Sequence, residues 1–199
     1  MSRELHACLV RYFARLEKLD EKWKELLGTA ERPLEALANQ AEQFRHVAKV
    51  NVDETENSVD GETRERLIFK ILMGLEDEVT LLLDILTQFN DANQDLKNYL
   101  VNLENARSQV SFKDVTMQEL IKGTSHRPML NLLLEWAVES FQFYHNMYLH
   151  IKDCMKSLDY KTEETIDNLI SSFVEDQCER RNINKILTFT QFLAKETLR

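Results

Sequence analysis

A chain of 199 residues is long enough to bury on the order of 70% of its unfolded surface, and four Gly and two Pro leave it few places to turn, which excludes a β-rich fold. Charged residues make up 30% and the apolar set 43%, the balance of a helical domain. The formal net charge of −9 argues against a large phosphate-binding surface, so no direct nucleic-acid binding is expected.

The first helix is expected over about Arg3 to Leu27. Leu5, Leu9, Tyr12, Leu16, Leu19, Trp23 and Leu26 return at alternating four- and three-residue steps. Gly28 and Thr29 loosen its end, and Pro33 suits the first turn of a second helix bearing Leu34, Leu37, Ala41, Phe44 and Ala48 on one face. Whether that helix is separate from the first or kinked off it stays open. From Asn51 to Thr63 the run NVDETENSVDGET loses all periodicity and reads as an acidic, exposed connector within a single helical domain of residues 1–199.

The longest stripe follows from Ile68 to Leu103. With Leu72 at heptad position a, the other a residues are Val79, Leu86, Asn93 and Leu100, and the d residues are Ile68, Leu75, Leu82, Phe89, Leu96 and Leu103. At about 1.5 Å per residue this is a rod of roughly 50 Å. Position g is mostly apolar as well (Ile71, Ile85, Ala92, Tyr99 and Ala106), which makes the face too wide for a two-stranded coil. Asn93 is a register device, a buried amide satisfied by a neighbour, or a partly exposed site. The fold class is therefore all-α: an elongated helical bundle with one long central helix and coiled-coil-like packing.

Residues Ser108 to Ser125 read as a connection with a helical turn near Thr116 to Lys122, and Ser125 can cap the next helix with Pro128 in its first turn. That helix, about Pro128 to Leu158, carries two apolar stripes. One holds Leu130, Leu134, Ala137, Phe141, Tyr144, Tyr148, Ile151, Met155 and Leu158; the other holds Leu132, Trp136, Phe143 and Met147, about 100° around. A surface helix has one such face, so this helix is either central in its own bundle or shared with a partner. Leu132, Trp136, Phe143 and Met147 are the candidate partner-binding residues. Replacing Trp136 and Phe143 by Asp then separates the two readings, because lost docking with helix content intact marks a surface and lost folding marks a core. Two short helices close the chain, one opening at Thr162 and one after a polar break over Asp176 to Asn182.

No enzymatic constellation is present. HExxH, a Glu-x-x-His pair and a glycine-rich phosphate loop are all missing from the sequence, and Cys154 in an apolar helix is a poor nucleophile. Glu42 and His46 lie one helical turn apart and read as an exposed pair rather than metal ligands. No cofactor or metal is expected, and the chain reads as non-enzymatic. The clusters Arg64, Arg66, Lys70 and Arg180, Arg181, Lys185 read as solvated helix faces. Three widely spaced cysteines, a charged N-terminus and no apolar run of ~18 residues suggest a reducing compartment and no membrane span.

The residues Trp23 to Leu27, Pro33-Leu34, Leu37 and Ala38-Asn39-Gln40-Ala41-Glu42-Gln43 resemble the N-terminal part of the AIRIM family. Met129-Leu130, Leu134-Glu135-Trp136, Tyr144 and Tyr148-Leu149 resemble its later helix. The matches concentrate in residues 5–46 and 126–158, with no correspondence in the acidic connector or around residues 107–125. The resemblance implies a small non-catalytic adaptor of an AAA ATPase complex of the Afg-two and SPATA-five type. It implies a second small helical subunit resembling the cyclin-dependent-kinase-two interacting protein. It also implies roles in large-ribosomal-subunit maturation and replication-linked protein turnover, and a location in cytoplasm and nucleus. The heptads by themselves equally suit a self-associating coiled-coil scaffold of a cytoskeletal or kinetochore assembly, which a stable homodimer or filament in solution would favour.

Overall fold

The computed structural model describes residues 2–49, 61–111, 117–124 and 127–193. Six helices and no strand occur among them: α1 (Ser2–Lys49), α2 (Gly61–Ser108), α3 (Gln118–Lys122), α4 (Leu130–Lys156), α5 (Glu163–Ser172) and α6 (Gln177–Thr190). The all-α class read from periodicity is the class observed.

The chain packs as two compact units, and α1, α2 and α4 contribute to both. The first unit comprises Met1–Lys24, Phe89–Tyr148 and Glu175–Arg199. Its core takes Leu5, Leu9, Tyr12, Leu16 and Leu19 from α1, Leu96 and Leu103 from α2, Leu130, Leu133 and Ala137 from α4, and Ile183 and Ile186 from α6. At its centre Trp23, fully buried, packs its ring 4.2 Å from Phe89 and 5.0 Å from Tyr144. Tyr12 sends its hydroxyl to the Ala137 carbonyl at 2.6 Å and shares a 3.0 Å hydrogen bond with Ser140, so a buried phenol is satisfied by helix α4. Burial pushes the Tyr12 phenol above its ordinary range. Asn93 is 1% exposed and donates its amide to the Tyr144 carbonyl at 3.3 Å. It is a buried amide bonded to a neighbour through Nδ2 alone, its Oδ1 having no hydrogen-bond partner among the described residues, and it links one turn of α2 to one turn of α4.

The second unit comprises Glu25–Gln88 and Leu149–Val174. Leu26, Ala30, Leu34, Leu37 and Ala41 of α1 meet Ile71, Leu75, Leu82 and Ile85 of α2, with Ile151 of α4 and Ile166 and Leu169 of α5. The heptad a, d and g residues of α2 are buried or half-buried along its whole length, as the wide face requires.

The expected break after Leu27 does not occur: α1 continues through Gly28, Thr29 and Pro33. The Thr29 hydroxyl returns to the Glu25 carbonyl at 2.8 Å, and Pro33 is buried on the same face as Ala30, Leu34 and Leu37. Continuous apolar burial outweighs the one backbone hydrogen bond that Pro33 cannot make. Residues 51–60 of the expected acidic connector lie outside the described residues, while Gly61, Glu62 and Thr63 already form the first turn of α2. Arg64, read as part of a solvated cluster, instead closes the end of α1, donating Nε to the Val47 carbonyl at 3.1 Å and Nη2 to the Ala48 carbonyl at 2.8 Å. Thr162 does stand before α5 but makes no side-chain cap; its hydroxyl goes to Asp159 at 3.3 Å.

Trp23→Ala is expected to destabilise the chain by about 3–5 kcal/mol in urea unfolding. The indole Nε1 has no hydrogen-bond partner among the described residues, so Trp23→Phe removes no bond and is expected to cost under about 2 kcal/mol.

Candidate functional site

The α4 helix carries both apolar stripes expected of it, and within the first unit they merge into one broad buried arc. Leu130, Leu133, Ala137, Ser140 and Tyr144 are fully buried; Trp136 and Phe143, on the flank, are 5% and 8% exposed. At that burial an Asp in place of either residue reports on the core. Leu132 and Met147 are half-buried. Two of the four candidates, Leu132 and Trp136, come together in one place: a trough of about 650 Å³ in the first unit. Phe143 and Met147 lie further along α4 and do not line it.

The trough has three walls. Its floor is α4, through Leu132 and Trp136. One side is α6 with the turn that follows it, which present Phe189 and Phe192, 52% and 47% exposed, with the Phe189 ring 5.8 Å from Trp136. The other is the segment between α3 and α4, where Met129 is 57% exposed. That segment turns at Gly123, whose φ of +69° is costly for any residue with a Cβ, and a Cβ there would stand 2.7 Å from the Arg127 carbonyl oxygen. Thr124 closes the turn, its N–H donating to the Arg127 carbonyl at 2.8 Å and its hydroxyl accepting from the Arg127 N–H at 3.1 Å. The expected cap, Ser125, lies outside the described residues. Helix α4 begins at Leu130 rather than Pro128, with Met129 supplying the first helical carbonyl to Leu133 at 3.1 Å.

The α6 wall is held by a buried carboxylate. Asp20 of α1 is 4% exposed and accepts from Tyr144 of α4 at 2.7 Å, from Arg180 of α6 at 2.5 Å and from Lys24 at 2.9 Å. Arg180 also meets Glu175 at 3.2 Å. Burial alone would raise the Asp20 carboxyl; the hydrogen bonds from Arg180, Tyr144 and Lys24, with the Arg180 charge, outweigh it and hold the group below the ordinary carboxylate range. Burial and the adjacent Asp20 charge push the Tyr144 phenol the other way. The expected polar break before the last helix is therefore short: Asp176 caps α6 by accepting from the N–H groups of Cys178 and Glu179 at 2.8 and 2.9 Å, and Arg180 is a half-buried anchor rather than a solvated cation.

After the polar break the sequence places Ile183, Ile186, Leu187, Phe189, Phe192 and Leu193 together as the apolar residues of the last helix, and the structure divides them. Ile183, Ile186, Thr190 and Leu193 complete a buried stripe, and Lys185, Phe189 and Phe192 recur on a separate flank at steps of four and three. That splitting was visible in the sequence; what lies opposite it was not. Among the described residues no Asp, Glu, His or Cys lines the trough. No cluster of three or more potential metal ligands exists among the described residues, and Glu42 and His46 form an exposed pair at 3.5 Å. No helix is long and apolar enough to cross a membrane among the residues described.

Residues 3–192 match the family described as CA109-like, ribosome biogenesis protein C1orf109-like. The chain is 24% identical over 147 residues to a Xenopus tropicalis protein named AFG2-interacting ribosome maturation factor, covering 72% of this chain and 70% of that protein. Both findings bear out the AIRIM resemblance read from Trp23–Gln43 and Met129–Leu149.

Removal of the buried carboxylate is expected to loosen α6. Asp20→Ala leaves the Tyr144 hydroxyl without its acceptor and Arg180 with Glu175 alone, and should cost about 3 kcal/mol in denaturant unfolding. Because the carboxyl is depressed in the folded chain, its stabilisation is complete above about pH 4 and disappears as pH falls through the lowered value. Wild-type stability should therefore drop more steeply with acid below pH 4 than that of the variant.

Proposed function

Because this chain belongs to the C1orf109-like family of ribosome biogenesis proteins, we propose that it is a non-catalytic adaptor that docks an AFG2-type AAA ATPase during maturation of large-ribosomal-subunit precursors. The observation that carries this reading is the relative named for binding AFG2 and for ribosome maturation, aligned over about seven-tenths of both chains. The physical character of the molecule supports it. The chain is built from helices packed on apolar faces, has no glycine-rich phosphate loop, and concentrates exposed aromatic surface beside α4. The ATP chemistry in this reading belongs to the partner. A second small helical subunit resembling the cyclin-dependent-kinase-two interacting protein, a role in replication-linked protein turnover, and residence in cytoplasm and nucleus complete the proposal on the AIRIM resemblance.

Reconstitution tests it. Purified full-length chain mixed with its purified AFG2-type ATPase should co-elute as one complex and hydrolyse no ATP when alone. Its depletion from cells should accumulate unreleased large-subunit precursors. A chain that forms a stable homodimer or filament and leaves the ATPase unbound would instead be the self-associating scaffold. The Phe69, Met73 and Leu83 side chains of α2, 65%, 45% and 47% exposed, would then be the surface to examine.

A further inference from the structure

We propose that the outward flank of α2 in the second unit, bearing Phe69, Met73 and Leu83, is the seat of a basic amphipathic helix from a partner protein. The a, d and g residues of α2 already serve the core, so these three exposed side chains form a second seam. With Glu76, Thr80 and Thr87 between and after them, they recur at alternating four- and three-residue steps over roughly 27 Å of helix. The Thr80 and Thr87 hydroxyls return to the Glu76 and Leu83 carbonyls at 2.8 and 2.9 Å, which leaves them little polar capacity for a partner. No strand edge lies here, so a docked segment must satisfy its own backbone, which a helix does and an extended peptide does not.

Charge selects the occupant. No Lys or Arg occurs between Lys70 and Lys97, while Glu76 stands in the seam and Asp77 and Asp84 border it, all three exposed. None of these carboxylates has an ion pair or a side-chain hydrogen bond among the described residues. Arg66, at the start of the helix, is already paired with Glu62. Tyr160 stands near Glu76, but burial and that charge push its phenol above its ordinary range, and a neutral phenol supplies no cation. A helix with Lys or Arg beside its apolar anchors is complementary to both seam and rim. A second copy of this chain is not. Setting Phe69 on Leu83 of an antiparallel copy centres the two-fold on Glu76; Lys70 then meets Asp84, but Glu76 and Asp77 of both copies face one another at the axis. A parallel register sets each carboxylate beside its own counterpart. Nucleic acid and anionic lipid are repelled by the same charge.

The test uses full-length chain and two designed helical peptides about three heptads long, with Leu along one seam and either Lys or Glu at the flanking positions. Binding is measured by fluorescence anisotropy, so the result does not depend on the ATPase, and failure here leaves the adaptor reading intact. The Lys-flanked peptide should bind wild type at least tenfold more tightly than the Glu-flanked one. Asp77→Lys with Asp84→Lys should weaken it at least tenfold and improve binding of the Glu-flanked peptide. Phe69→Ser with Leu83→Ser, which keeps the acidic rim, should also weaken it at least tenfold. Both variants change exposed side chains only. Glu17→Lys with Glu21→Lys on α1 makes the same change in net charge elsewhere and should bind within twofold of wild type. Equal binding of the two peptides, binding of neither, or either α2 variant within twofold of wild type overturns the proposal. A stable dimer in sedimentation that Phe69→Ser with Leu83→Ser dissolves makes the occupant a second copy and overturns it as well.

Discussion

The first unit joins α1, α4 and α6 at one buried carboxylate. Asp20 gathers a phenol from α4, a guanidinium from α6 and an ammonium from its own helix onto two oxygen atoms. A buried ion pair adds little net stability over an apolar replacement of the same shape, because desolvation offsets the attraction. Hydrogen bonds to it are directional, however: the Tyr144 and Lys24 bonds fix the carboxylate between α1 and α4, and the Arg180 bond then sets the placement of α6. Apolar packing of Ile183 and Ile186 holds α6 against the core but tolerates sliding; the Asp20–Arg180 bond does not. The exposed position of Phe189 and Phe192 over Trp136 follows from that anchorage, nine and twelve residues beyond Arg180 on the same stretch of chain.

Much of the fold was legible because helices announce themselves through period. The alternating steps of α2 placed its a, d and g residues correctly, and the width of that face excluded a simple two-stranded coil. What failed was local punctuation. Gly28 and Pro33 read as a stop, yet α1 runs on, since a buried proline on a continuous apolar face costs less than ending a helix that is packed on both sides of it. Arg64 and Arg180 read as solvated because composition cannot distinguish a cation facing water from one aimed at a helix end or a carboxylate 160 residues away. Such partners are set by tertiary placement, and one sequence carries no record of it.

The candidate site divides along the same line. Two stripes drew attention to α4, and Leu132 and Trp136, which line the trough, were named from spacing. Phe143 was named on the same ground and packs edge-on to Tyr144 within the core, 8% exposed. Spacing says that a residue faces something; it does not say whether that something is α6 or another molecule. Phe189 and Phe192 could have been separated from the core of α6 by noting that Ile183, Ile186, Thr190 and Leu193 already close its inner stripe. Lys122 and Met129 could not, because their place in the trough depends on the turn at Gly123.

Burial and exposure around Trp136 answer different needs. A residue that anchors a partner must be rigid before the partner arrives, or the cost of ordering it consumes the gain. Trp136 is fixed by the helices on either side and leaves 5% of its surface open, while Phe189 and Phe192 expose half of theirs. The buried indole therefore makes a stiff floor and the half-exposed phenylalanines an adjustable wall. The aromatic face of the trough is thus part core and part surface, and only Phe189 and Phe192 stand substantially open to solvent.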